Sequence, residues 1–237
     1  MTGRLALTFD DRHVDSWVSA RPLLDAVGAR ATFFLVEADL LDRRERSGVR
    51  TLLADGHSIG SHGARHRNAD ESIAADGATS YLADEIDPSV QALRALGASA
   101  QTFAYPNSRR DEASDDILLT RFARLRTGGP RTADTVAAAR AVTAPGSSVR
   151  VHPGRGIDTG RGEHAHSADA DVLSGMLRHL ADHGGTLVLY AHDIAASSPA
   201  NHIHPDRLRR ILIEASGFGL DLGGMDALPD IEGHREH

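Results

Sequence analysis

The sequence predicts an α/β fold with a largely parallel sheet, closed or nearly closed into a β/α barrel. Three observations carry that expectation. Short apolar runs of strand length alternate with helical stretches of ten to sixteen residues. The chain has 237 residues, close to the roughly 250 of a single α/β barrel. Polar residues capable of chemistry follow the apolar runs, where parallel strands would gather them on one rim.

Arg4–Phe9 is short and apolar and runs into Asp10-Asp11. Ser16 to Val27 reads as a helix, with Trp17, Leu23, Leu24 and Val27 on one side and Gly28 as its stop. Ala31–Val36 is the second strand, Asp42 to Ala54 a helix closed by Asp55-Gly56, and His57–Ser61 a short third strand. Tyr81 to Leu96 carries a 3.6-residue pattern in Leu82, Ile86, Val90 and Leu93 and ends at Gly97. Thr102–Tyr105 is a strand halted by Pro106. Between Arg124 and Gly162 the signal weakens; short strands are expected near Arg124–Thr127 and Arg140–Thr143. Polar loops are expected at His164–His166 and Ser197–Pro205. Ser167 caps a helix to His183, Thr186–Ala191 is a late buried strand, Pro205 opens the last helix to Ser216, and Phe218–Leu222 is the last strand. With no internal repeat and no linker, one domain is expected over 1–237, with a polar tail from about 229.

The balance of 26 basic against 33 acidic residues gives a net charge of -7, which argues against a nucleic-acid partner. Every basic residue is Arg, a bias that suggests a GC-rich bacterial source. The chain has no cysteine, which excludes disulfides, thiolate metal sites and thiol nucleophiles. No apolar run reaches the ~18 residues of a membrane span, and the first residues do not read as a secretory signal. A cytoplasmic enzyme or binding domain is the expectation.

The sharpest signal lies at the strand ends. Asp10 and Asp11 close the first strand, His62 and His66 follow the third, Pro106 and Asn107 follow a later one, and His192 and Asp193 close the strand at 186–191. His62 and His66, four apart, present two imidazoles to one face of a helical turn, a spacing a metal uses. No Glu follows His62, so both a third ligand and a general base must come from elsewhere. Asp10-Asp11 offers a carboxylate for each role, since adjacent residues leaving a strand point in different directions.

Taken together, Thr8-Phe9-Asp10-Asp11, His62-x3-His66, Phe103-Ala104-Tyr105-Pro106 and Leu187-Val188-Leu189-Tyr190-Ala191-His192-Asp193 resemble the polysaccharide deacetylase family, the NodB-homology domain of carbohydrate esterase family 4. The similarity runs from Leu5 to about Leu228. It implies a distorted β/α barrel of about seven parallel strands and a hydrolase that removes an acetyl group from an N-acetylated sugar. It further implies that Asp11, His62 and His66 bind one divalent metal, commonly zinc, with cobalt, manganese or nickel as variants. Asp10 would be the general base, His192 the general acid, and the backbone N–H of Asn107 an oxyanion donor. Leu187 and Leu189 would line the acetyl pocket, and Tyr105 and Pro106 would border the substrate. Amide hydrolysis suits such a set: a metal lowers the pKa of water from 15.7 to roughly 7, oriented donors stabilise the tetrahedral oxygen, and His protonates a poor leaving amine.

Several positions depart from the family pattern. Ala104 stands where the family commonly has an Arg that steadies the base, and Asn107 stands at a Tyr position. Arg109, Arg110 or Arg126 is expected to substitute. Gly63 replaces a Ser or Thr, and Arg12 replaces a Gly, placing a cation where it can read a substrate anion. No Asp-x-x-Asp partner motif for His192 is present. Aromatic residues make up only 4%, which favours a small or short substrate over an extended glycan stacked along a cleft; His13 and Trp17 are the candidates for the cleft wall. The competing classes are a cyclic amide or ureide hydrolase of the same barrel family, a non-haem iron oxygenase using the same two His and one carboxylate, and a metal-binding homologue without turnover. An aspartyl phosphatase is disfavoured because Arg12, not Asp, stands two positions after Asp10.

Overall fold

The computed structural model describes residues 2–129, 134–159 and 166–228. The chain alternates strand and helix. In order it forms β1 (Arg4–Asp11), α1 (Val14–Ser19), α2 (Arg21–Asp25), β2 (Thr32–Leu35), α3 (Arg43–Ala54), β3 (Ser58–Ser61), α4 (Ala69–Asp76), α5 (Ala78–Tyr81) and α6 (Asp87–Ala95). It continues through β4 (Thr102–Ala104), α7 (Glu112–Leu118), β5 (Arg124–Gly128), α8 (Thr135–Ala139), β6 (Val151–Gly156), α9 (His166–His183) and β7 (Thr186–Ala191). A small pair, β8 (Asp193–Ile194) and β9 (His202–Ile203), precedes α10 (Pro205–Gly217) and β10 (Asp221–Gly223).

Strands β1 to β7 are all parallel and close into a barrel through the β1–β7 pairing. β10 pairs with the start of β1, Arg4 opposite Asp221, while β2 pairs with its end, Asp11 opposite Leu35. The last strand therefore seals the amino end of the barrel and leaves the carboxyl end open. The seam between β3 and β4 is the thinnest, with Ser61 opposite Phe103 as its register pair.

The alternation of side chains fixes what faces where. Ala6, Phe34, Ala104 and Val188 meet inside the barrel with Met225 and Leu228. Leu5, Leu7, Phe9, Leu187 and Leu189 face outward and pack against Leu173, Leu177, Leu208 and Leu212 of the surrounding helices. Asp10 has the inward parity of Ala6, and so do Arg126, in register with Ala104, and His192.

Several expected elements take a different form. The helix expected from Ser16 to Val27 is two helices meeting at Ala20, because Pro22 starts a new turn. The helix expected from Tyr81 to Leu96 is interrupted by a π-helical turn at Leu82–Ile86 and restarts with Pro88 in the first turn of α6. Arg140–Thr143 is not a strand; only Thr143 bridges Thr186. The strand β6 and the helices α4, α7 and α8 lie where no regular element was expected. The loop expected at 197–205 contains β9. His166 is the first residue of α9, while His164 and the tail from about 229 lie outside the described residues. Among the described residues no helix is long and apolar enough to cross a membrane.

Candidate active site

The functional residues arrive from the carboxyl ends of successive strands, as the barrel requires. Asp10 and Asp11 end β1. His62 follows β3 directly, and its backbone N–H continues the ladder to Leu35 O at 3.1 Å. Asp11 and His66 take left-handed backbone angles, with φ of 77° and 59°, a conformation that costs a non-glycine residue energy and recurs where side chains must be aimed.

Asp11 Oδ1 lies 3.5 Å from Nε2 of both His62 and His66. One ligand atom from each of the three residues lies within 4.8 Å of the other two, a group that can hold a metal ion. His62 is buried and its Nδ1 bonds Ala104 O at 2.8 Å. A carbonyl only accepts, so Nδ1 carries a proton and the ring is turned with Nε2 toward the centre of the cluster, the orientation in which a second partner aims a metal-ligating histidine. Burial opposes ionisation of Asp11, yet the facing imidazoles of His62 and His66 hold its carboxyl well below the usual range.

Asp10 is buried at 2% exposure and pairs through Oδ2 with Arg126, itself 1% exposed. Its Oδ1 is buried and finds no hydrogen-bond partner among the described residues. Of the three arginines expected to replace the missing one at Ala104, Arg126 makes this contact; Arg109 pairs with Asp70 and Glu71, and Arg110 with Asp115. The Arg126 guanidinium is also stacked over the Tyr190 ring, 4.7 Å from its centroid.

His192 is held on every side. Its Nδ1 bonds Asp158 Oδ2 at 2.7 Å, its backbone N–H donates to Asp158 Oδ1 at 3.1 Å, and its carbonyl accepts from Trp17 Nε1 at 3.0 Å. Burial alone would lower the imidazole pKa, but the Asp158 bond and the nearby Asp10 and Asp11 carboxylates outweigh it and raise it. Asp158 follows β6, and it is the partner for His192 that the sequence reading did not find. An acid two residues past a strand end was the available signal, but Pro153 and Gly154 inside β6 hid the strand itself.

Four expected substrate contacts lie elsewhere. Arg12 donates to Glu45 at 2.7 and 2.8 Å, to Glu37 at 3.2 Å and to Leu40 O at 2.9 Å, so its charge is committed to anchoring the start of α3. Tyr105 is buried among Phe103 and Phe122 and donates to Asp115 Oδ1 at 2.7 Å; burial and that carboxylate push its phenol well above the ordinary range. Leu187 and Leu189 are fully buried against the outer helices; the inward residues of β7 are Val188 and Tyr190. Trp17 is also fully buried, stacked on Phe33 at 5.0 Å.

Pro106 is buried and starts the turn after β4, which holds Asn107 exposed at φ 53°. His13 stands beside the cluster, its Nε2 4.0 Å from Asp11 Oδ2. Among the remaining loop histidines, His152 is buried inside the barrel, His202 bonds Ala200 O at 3.1 Å, and His204 caps α10 through Asp206 N at 3.2 Å.

A closed parallel barrel carries on its carboxyl rim a triad able to hold a metal ion beside a buried carboxylate. The family model described as polysaccharide deacetylase matches residues 2–120. The chain belongs to the polysaccharide deacetylase family. A Mycobacterium smegmatis structure, solved as a candidate polysaccharide deacetylase, superimposes with a TM-score of 0.64 at 16% identity, over 100% of this chain and 95% of that one. A family 4 carbohydrate esterase from Streptomyces lividans in complex with acetate gives 0.54 at 19% identity, over 93% and 92%. A gellan lyase from Bacillus sp is 30% identical over 137 residues, which are 57% of this chain and 5% of that protein. The chain thus spans about a twentieth of that curated relative.

Proposed function

We propose that this chain is a cation-dependent deacetylase that hydrolyses the N-acetyl amide of a small or short carbohydrate-type substrate. The observation that carries the reading is Asp10: one carboxylate oxygen is tied to Arg126, and the other, buried, finds no partner among the described residues, one position along β1 from Asp11 of the Asp11, His62 and His66 cluster. The donor set of two imidazoles and one carboxylate suits a borderline cation such as Zn²⁺, and leaves coordination positions for water and substrate. Bound there, such a cation supplies Lewis acidity toward a water and toward the scissile carbonyl.

The protein's own groups do the remainder. Asp10 Oδ1 takes a proton from the attacking water while Arg126 fixes the carboxylate. The oxygen of that water joins the carbonyl carbon, and the Asn107 backbone N–H donates to the carbonyl oxygen as charge grows there. His192, aligned by Asp158, donates its Nε2 proton to the nitrogen as the C–N bond breaks. Acetate and a free amine leave.

The size of the substrate is argued from aromatic burial. Trp17, Tyr81, Tyr105 and Tyr190 are all buried, so none offers the open ring face on which a long glycan would stack. The test is the purified protein, with its metal content measured, assayed for acetate release from N-acetylated mono- and oligosaccharides with and without chelator. Chelator-sensitive acetate release supports the reading. Undiminished activity in metal-free protein, or opening of cyclic amides with no acetate release from any N-acetyl sugar, would overturn it.

A further inference from the structure

The loop bearing His62 and His66 is wrapped around a buried carboxylate that takes no part in the proposed chemistry. Glu85 is 0% exposed and sits in the π-helical turn Leu82–Ile86. Both of its carboxylate oxygens accept from the Arg65 backbone N–H at 3.0 Å, and Oε1 accepts from the Arg67 backbone N–H at 3.0 Å. Its carbonyl accepts from the Ala64 N–H at 2.9 Å. The Arg65 and Arg67 guanidinium groups turn away to Asp39 and Asp76, so Glu85 has no ion-pair partner among the described residues. Gly63 completes the fit: it adopts φ +84°, and a Cβ there would stand 2.2 Å from Glu85 Oε1.

His66 lies between two residues whose amides are both tied to Glu85, and like Asp11 it holds a costly left-handed backbone, here at φ 59°. A left-handed non-glycine residue persists only where its surroundings over-determine it, at a cost of about 1–3 kcal/mol. Backbone N–H groups converging on an anion are a recognised way to fix such a turn. The π turn explains why Glu85 reaches the loop at all: the extra residue it inserts in the helix re-aims side chains at that level, and π turns concentrate at functional sites.

We propose that Glu85 is the positioning residue of the metal centre: by gathering the amides of Arg65 and Arg67 on either side of His66, it presets the His66 imidazole for the cation before the cation arrives. This rests on the reading of Asp11, His62 and His66 as ligands. It also accounts for Gly63, where a Ser or Thr would carry a Cβ into the carboxylate.

The test measures Co²⁺ and Zn²⁺ binding by chelator competition, with the visible spectrum of the Co²⁺ form as a second readout, on wild type, Glu85→Gln and Gly63→Ala. Both variants should bind about 10–100-fold more weakly, with an altered Co²⁺ spectrum. A folded variant with unchanged affinity and spectrum would overturn the proposal. Wild-type hydrogen exchange keeps it open to refutation if a variant does not fold: the Arg65 and Arg67 amides should be protected in metal-free protein, and free exchange there would refute a preset loop. Absence of binding in wild type would instead sink the proposed function.

Discussion

Arg126 stands next to Ala104 in register across β4 and β5, and its guanidinium reaches over the barrel to Asp10. The guanidinium paired with Asp10, the proposed base, therefore comes from β5, one strand along from Ala104 and at the same level of the barrel. Removing it leaves Asp10 as an unpaired buried charge. Arg126→Met is expected to cost about 3–5 kcal/mol of stability and to lower kcat about 100-fold, with metal content retained. Asp10→Asn should keep the metal and lose about 10²–10⁴-fold in kcat. Denaturant unfolding, metal analysis and steady-state kinetics read these out; wild-type kcat in Asp10→Asn removes Asp10 from the mechanism.

His62 is the buried ligand, fixed by Ala104 O, whereas His66 lies at the half-open side. His62→Ala should lose both metal and activity. Chelator-treated wild type should lose activity and regain it on addition of Zn²⁺ or Co²⁺. Metal stoichiometry before and after dialysis checks this, and a His62→Ala protein that still holds one tight equivalent argues against the triad.

With His192 as the proposed general acid, its raised pKa is expected to set the alkaline limb of the pH profile. A general acid works while protonated, so kcat/KM should fall as pH rises through a value above the ordinary 6.5. Asp158→Asn removes the carboxylate charge that helps to raise it, and the limb should move to lower pH with a loss of about 10-fold or more near neutrality. An unmoved limb would assign the alkaline ionisation to another group.

His152 is buried with neither ring nitrogen bonded among the described residues, and burial together with the neighbouring Arg124 lowers its pKa to about 4. Between the ordinary 6.5 and 4 the unfolded chain takes a proton that the folded chain refuses, so stability falls as pH drops through that window. The loss is on the order of 3 kcal/mol. His152→Leu should flatten the dependence of unfolding free energy on pH there; an unchanged slope would place the proton uptake elsewhere.

Leu189 faces the helices and Tyr190 faces the barrel lumen. Leu189→Ala should cost about 2–5 kcal/mol and leave KM unchanged at temperatures where the variant is folded. A selective effect on KM with little destabilisation would return Leu189 to the substrate pocket.

Local signals carried much of this architecture. The bounds of β7 and the start of α10 at Pro205 could be read directly, and so could the rim on which Asp10, Asp11, His62, His66 and His192 lie, whereas β6 was not expected and Arg140–Thr143 forms no strand. Strand period, helix period, proline and glycine act over a few residues, and a parallel barrel then converts strand ends into one face. Other features depend on both faces of a strand being buried. In a parallel barrel each strand is apolar inside and out, so alternation in Thr186–Ala191 cannot say whether Leu189 or Tyr190 points inward.

The sequence by itself determined the fold class, the family and the choice of Asp11, His62 and His66 as the candidate triad, because those reside in short motifs whose spacing is local. Only the tertiary structure decided that Arg126 pairs with Asp10, that Asp158 bonds His192, that Glu85 accepts from the amides flanking His66, and that Arg12 is spent on Glu45 and Glu37. Each of these joins residues far apart in the chain through a charge or amide that must be satisfied in a buried or half-buried place. Which partner satisfies it is settled by where the closed barrel brings the strands and loops together, and no local pattern records that.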